Sequence, residues 1–167
     1  MLSVTTPLKS LTSLVLVATA LLPLAAQATT TEARSARGNE AANKAIIQQA
    51  FDNWQQGHGN FFDLLSENAK WTIVGSSPIS GTYRSRQELI EHSVKPINDR
   101  LATSITPHVR QIIAEGNSVV VFWDGSATRL DGNRYDNNYA WHMTMEDGEI
   151  KEVTAFLDTW TLTELLE

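Results

Sequence analysis

Residues 139–159, "YAWHMTMEDGEIKEVTAFLDT", carry two runs of alternating apolar residues on either side of "EDG". Alternation with a period of two marks strands that bury one face, and a Gly-containing reversal between them marks a hairpin. Two registers compete. A two-residue loop at Asp147-Gly148 pairs Met145 with Ile150 and sets Trp141 beside Thr154. A three-residue loop, with Gly148 in the left-handed conformation, pairs Met145 with Glu149. The second gathers Tyr139, Trp141 and Met143 on one face with Val153, Ala155 and Leu157. Burial of one face fixes register, so the three-residue loop is expected. It places His142 near Glu152 on the opposite face, together with Asp158.

Working outward, "SITPHVRQIIAEG" (104–116), "NSVVVFWDGSATRL" (117–130) and "NRYDNNYAWHMTM" (133–145) are strand-like runs separated by "EGN" and "DGN". Upstream the period changes. Ile46, Ile47, Ala50, Phe51 and Trp54 recur at three- and four-residue steps, an amphipathic helix from Glu40 that Gly57 and Gly59 end. "FFDLLSE" (61–67) is expected as a short helix, "AKWTIVG" (69–75) as a strand and "GSSPISG" (75–81) as a turn-rich connection. A third helix starts at Ser85, which forms a capping-box pattern with Glu88. It buries Leu89, Ile90 and Val94, and Pro96 bends or breaks it. "LTELLE" (162–167) adds a terminal helical turn. Helices first and an antiparallel meander afterwards specify an α+β domain with helices on one face of a sheet.

Within the first 30 residues one charge, Lys9, precedes an apolar run from Leu11 to Leu24 and the small-residue exit "AQA" (26–28). That order fits a cleaved signal peptide over residues 1–28. A run of ~14 residues is short against the ~20 a membrane helix needs. The expected product is secreted, or periplasmic in a Gram-negative cell, with a flexible lead at 29–39, a domain at 40–167 and no membrane span. Removing Lys9 leaves 12 basic against 19 acidic residues. Such a surface repels phosphate backbones, so nucleic acid is excluded as a partner. With no cysteine, folding depends on packing, to which five Trp and five Phe contribute.

The helix ending in "WQQGHGNFFDLLSENAKWTIVG", the "GTYRSRQEL" helix start and the closing hairpin together resemble the SnoaL-like, nuclear-transport-factor-2-like superfamily over roughly residues 40–166. The resemblance implies a conical α+β barrel, in which a curved antiparallel sheet wraps around the N-terminal helices and leaves a pocket at its open end. The superfamily includes ketosteroid isomerases, polyketide cyclases, scytalone dehydratase and limonene epoxide hydrolase. Isomerases use a carboxylate base with a Tyr and a protonated Asp. The matching positions here are Thr72, Phe51 and Trp141, none of which has that chemistry. An epoxide-hydrolase set of Asp, Arg and Asp has the right residue types in Asp124, Arg129 and Asp158, without a matching spacing.

Other chemistries find no frame. His58, His92, His108 and His142 lack metal-ligand spacing. "VGSSPISG" lacks the Lys-Ser/Thr of a phosphate loop, and Ser76 and Ser77 lack a nucleophile elbow. No metal or cofactor is expected. The aromatic residues point instead to an apolar pocket for a small molecule, lined by Phe51, Trp54, Trp71, Thr72, Trp123, Tyr139, Trp141 and Leu157. The competing expectation is an enzyme of the cyclase, dehydratase or hydrolase type. Asp158 is then its acid–base group, at the cavity mouth if a bulge reverses its facing, with His142 as a second candidate. A third is a homodimeric scaffold with a vestigial cavity, pairing through the face that carries His142, Thr144, Thr154 and Phe156.

Overall fold

One stripe anchors the first helix. Asn43, Ile47 and Phe51 are buried at steps of four, and Trp54 follows half-buried near the end of α1 (Leu24–Gln55). The computed structural model describes residues 24–167, so most of the expected signal peptide lies outside the described residues. Residues 29–39 belong to α1 and are not an irregular lead. The stretch holds no Pro to break the helix that continues into Glu40 and beyond. Packing begins later: Ser35, Arg37, Gly38 and Asn39 are exposed, and Glu40 Oε1 accepts the Gly116 N–H at 3.0 Å.

"FFDLLSE" divides. Phe61–Leu64 is a 3-10 turn capped by Asn60, and Leu65 already opens β1 (Leu65–Ile73). A short β2 (Gly81–Tyr83), absent from the expected elements, begins at the last residue of the 75–81 connection and pairs with β1. Then come α2 (Arg86–Leu89), a π turn (Ile90–Val94) and α3 (Lys95–Asn98). Ser85 Oγ accepts the Glu88 N–H at 3.0 Å, and the Glu88 carboxylate takes the N–H of Arg84. Pro96 does not break this segment. Its ring would crowd the carbonyl four residues back, and the wider π turn, in which the Lys95 N–H reaches Ile90 O, takes up the misfit.

The meander follows as β3 (Thr106–Glu115), β4 (Ser118–Thr128), β5 (Arg134–Glu146) and β6 (Glu149–Leu157), and α4 (Thr159–Leu166) ends the chain. The sheet order is β2-β1-β6-β5-β4-β3. The expected α+β class with a curved sheet around helices stands. The sheet is mixed through one parallel pair, β1 with β6.

The hairpin follows neither expected register alone. Asp147 and Gly148 both have positive φ, 52° and 80°, so the loop is the two-residue form, with Met145 opposite Ile150. A bulge then shifts the pairing to Met143 with Val153, Trp141 with Ala155 and Tyr139 with Leu157. Ile150 and Val153 thus both point inward across two intervening residues, which only an extra residue permits. His142 lies opposite Thr154 and approaches Ser118 Oγ, while Glu152 pairs with Lys70.

Candidate functional site

Alternation along the meander sends the bulkiest residues to one side. Trp123 from β4, Tyr139 and Trp141 from β5, and Trp71 from β1 meet Trp54 from α1 and Phe61 from the 3-10 turn. Trp71 and Trp123 each meet the Trp141 ring edge-on at 4.8 Å, while Trp123 and Tyr139 lie parallel at 3.9 Å and 7°. Such pairs add about 0.5–1.5 kcal/mol each beyond the area they bury. Gly125 allows the Trp123–Tyr139 stack. A Cβ there would come within 3.0 Å of both rings and 2.9 Å of Ile105.

These rings do not fill the space between sheet and helices. A cavity of about 460 Å³ remains, closed on the far side by Leu89, Val94 and Ile97 of the α2–α3 segment and by Leu162 of α4. Its polar wall residues are few: Asn60, Ser93, Asn98, Ser104 and Tyr139, beside the four tryptophans. Ser93 lies in the π turn and is buried. Trp123 Nε1 is buried without a hydrogen-bond partner among the described residues. No Asp, Glu, Lys, Arg or His is among the described residues that line the cavity.

Behind Tyr139 runs a hydrogen-bonded chain from alternate residues of β5. Tyr135 Oη lies 3.0 Å from Tyr139 Oη, and Asn137 Nδ2 donates to Tyr135 Oη at 3.0 Å and to Asp158 O at 3.0 Å. Asn137 Oδ1 accepts the backbone N–H groups of Asn138 at 2.7 Å and Asp158 at 3.0 Å. Burial pushes the Tyr139 phenol well above its ordinary value and raises Tyr135 as well. Both remain protonated donors at neutral pH.

Trp54, Trp71, Trp123, Tyr139, Trp141 and Leu157 line the cavity, whereas Phe51 and Thr72 do not. Phe51 packs behind the rings in the core, touching Trp54, Phe61, Trp123 and Trp141. Thr72 alternates with the buried Trp71 and Ile73, and so faces outward, where it meets Thr82 Oγ1 at 3.0 Å. Asp158 and His142 are also off the walls. Asp158 is the N-cap of α4, accepting from Trp160 N, Thr161 N and Thr161 Oγ1 at 2.9, 3.2 and 3.0 Å. Those bonds, led by the Thr161 backbone N–H and then its hydroxyl, hold the carboxyl below its usual range. An acid–base role at neutral pH requires the opposite shift.

The Asp124, Arg129 and Asp158 set does not assemble either. Asp124 pairs with Arg110 at 2.6 Å, and Arg129 donates to Glu164 O and reaches Asp131. Sequence patterning missed the walls supplied by Phe61, Phe62, Ser93 and Leu162, because only tertiary packing faces them inward. It also missed the Tyr135–Asn137–Tyr139 chain, although its spacing in "RYDNNY" is the period-two signal of one strand face.

The geometry has counterparts. The SnoaL-like domain model matches residues 47–153. An NTF2-like protein from Burkholderia thailandensis superposes with a TM-score of 0.63 at 17% identity, covering 75% of this chain and 97% of that one. Bal32a, from a soil-derived mobile gene cassette, gives 0.65 at 16% identity over 77% and 99% of the two chains. TerC, co-crystallised with polyporic acid, gives 0.62 at 20% identity over 75% and 98%. These likenesses establish the fold. No curated protein matches the chain by sequence.

Proposed function

Because this chain belongs to the SnoaL-like domain family, we propose that it binds a small, neutral, apolar molecule in its aromatic cavity. One observation carries the reading: a cavity of about 460 Å³ whose walls combine four indoles with no charged side chain or histidine. That volume and lining suit a small-molecule site. Tyr139 is the only titratable side chain among the described wall residues, and it stays protonated. General acid–base catalysis needs a group that exchanges a proton near working pH, so binding is favoured over cyclase, dehydratase or hydrolase chemistry through Asp158. The co-crystallisation of TerC with polyporic acid supports small-molecule binding by this fold.

The protein is further proposed to be exported, on the order of Lys9, apolar run and "AQA". It is proposed to pair as a homodimer through the outer sheet face, where Phe122 and Phe156 are exposed. Titration with N-phenyl-1-naphthylamine tests the cavity. Saturable one-to-one binding with quenching of tryptophan emission is expected, and Val94→Trp, which fills the cavity, should abolish it. Unsaturable binding, or binding unaffected by that substitution, would refute the cavity as the site.

A further inference from the structure

We infer that Tyr139 presents a hydrogen-bond donor to the cavity, and that the ligand is an uncharged apolar molecule whose carbonyl accepts it. This deepens the proposed binding function and rests on it. The direction of donation follows from the amide of Asn137. Its Oδ1 receives two backbone N–H groups, so the oxygen and nitrogen of the amide cannot be exchanged. Nδ2 therefore gives one hydrogen to Asp158 O and the other to Tyr135 Oη. Tyr135 then directs its own hydrogen to Tyr139 Oη, 3.0 Å away. The reverse order would strand the Tyr135 hydrogen in a site 2% exposed, and an unsatisfied buried donor is costly.

Tyr139 Oη is thus an acceptor toward Tyr135, and its own hydrogen is left over. No protein acceptor meets that hydrogen among the described residues, and the Tyr139 ring lines the cavity. Burial keeps the phenol protonated, so the donor persists across the physiological range. The Trp123 indole N–H also lacks a partner among the described residues, but it is buried within the packed rings. A ligand suited to Tyr139 brings an acceptor. It must also be uncharged. No Lys, Arg or His is there to pair with a carboxylate or phenolate, and burying an unpaired anion is prohibitive. The remaining walls combine indole and phenyl rings with aliphatic side chains such as Ile73, Leu89, Val94 and Leu162, which favour an apolar framework around that acceptor.

9-Fluorenone and fluorene share one ring framework and differ by the carbonyl. Fluorenone should bind the unmodified protein roughly three- to tenfold more tightly, as one net hydrogen bond allows. Its carbonyl stretch should fall below the value in alkane solvent. In Tyr139→Phe the affinity ratio should drop to about one and the carbonyl band should return to the alkane position. Equal affinities and an unshifted band in the unmodified protein would overturn the donor inference while leaving the aromatic cavity standing. A ratio and band shift that persist in Tyr139→Phe would also overturn it, since another group would then be the donor. Failure of both compounds to bind would overturn the cavity reading and the donor together. The ratio and band in the unmodified protein need no variant to be decisive.

Discussion

The two faces of the central sheet are built from the same strands and share no chemistry. On β5, Tyr135, Asn137, Tyr139 and Trp141 point inward, and Asp136, Asn138, Ala140 and His142 point outward. The inner face holds the stacked rings and the neutral hydrogen-bonded chain. The outer face holds the ion pairs, Arg110 with Asp124 and Lys70 with Glu152, and the exposed Phe122 and Phe156. A side chain's parity along its strand therefore decides whether its type can matter in the cavity. Asp and His residues chosen for their chemistry fall outside, and residues chosen for bulk fall inside. A cavity furnished in this way recognises shape and neutral acceptors, and it has no proton to exchange.

The contrast breaks most sharply at Trp141. Its ring touches Trp54, Phe61, Trp71, Trp123 and Tyr139, so Trp141→Ala should cost about 3–5 kcal/mol in chemical denaturation. A loss under about 1 kcal/mol would mean that the inner rings are loosely packed. Asn137 comes next. Asn137→Leu keeps the volume but leaves the Asp158 and Asn138 N–H groups and the Asp158 carbonyl without their partner. A loss of about 1–3 kcal/mol is expected, with α4 the first element to gain amide hydrogen exchange. Uniform exchange across the sheet would show that the amide does not tie β5 to α4.

Much of this contrast was legible in the sequence, because period two survives in "YAWHMTM" and "EVTAFL" whatever the register. The helical stripe through Ile47, Phe51 and Trp54 was legible for the same reason. What failed was local and physical. The loop at Asp147-Gly148 takes the two-residue form because Asp tolerates positive φ. The bulge beyond it restores the facing that a longer loop was invoked to provide. Family position misplaced Thr72 in the pocket, although its alternation with Trp71 sends it outward. Phe51 faces inward but is covered by other rings, a distinction no one-dimensional pattern carries.

The outer face makes a weaker demand. If it forms the proposed homodimer, light scattering should give about twice the mature mass, and Phe156→Asp should halve it. Phe156 is 50% exposed, so the fold itself should change by no more than about 0.5 kcal/mol. Unchanged mass for the variant would remove Phe156 from the interface, and a monomeric parent would remove the interface itself.

Asp158 gives the smallest effect, and it marks the boundary between the two faces. Its backbone is gripped by the inner Asn137, while its carboxylate turns outward to cap α4. Asn caps a helix about as well as Asp, so Asp158→Asn should preserve fold and ligand affinity and lower the melting temperature only slightly at neutral pH. What it removes is a pH dependence. The folded carboxyl titrates below its ordinary value. Its stabilising contribution is therefore fully present above the unfolded pKa of about 3.9 and is lost as pH falls through the lower folded value. The melting temperatures of parent and variant should differ near neutrality and converge in acid. Parallel curves down to the most acidic point would show that the charge contributes nothing to the cap. A carboxyl resonance that titrated near or above neutrality would reverse the assignment, for the group would then have left the helix end and become the proton-exchanging residue that the cavity otherwise lacks.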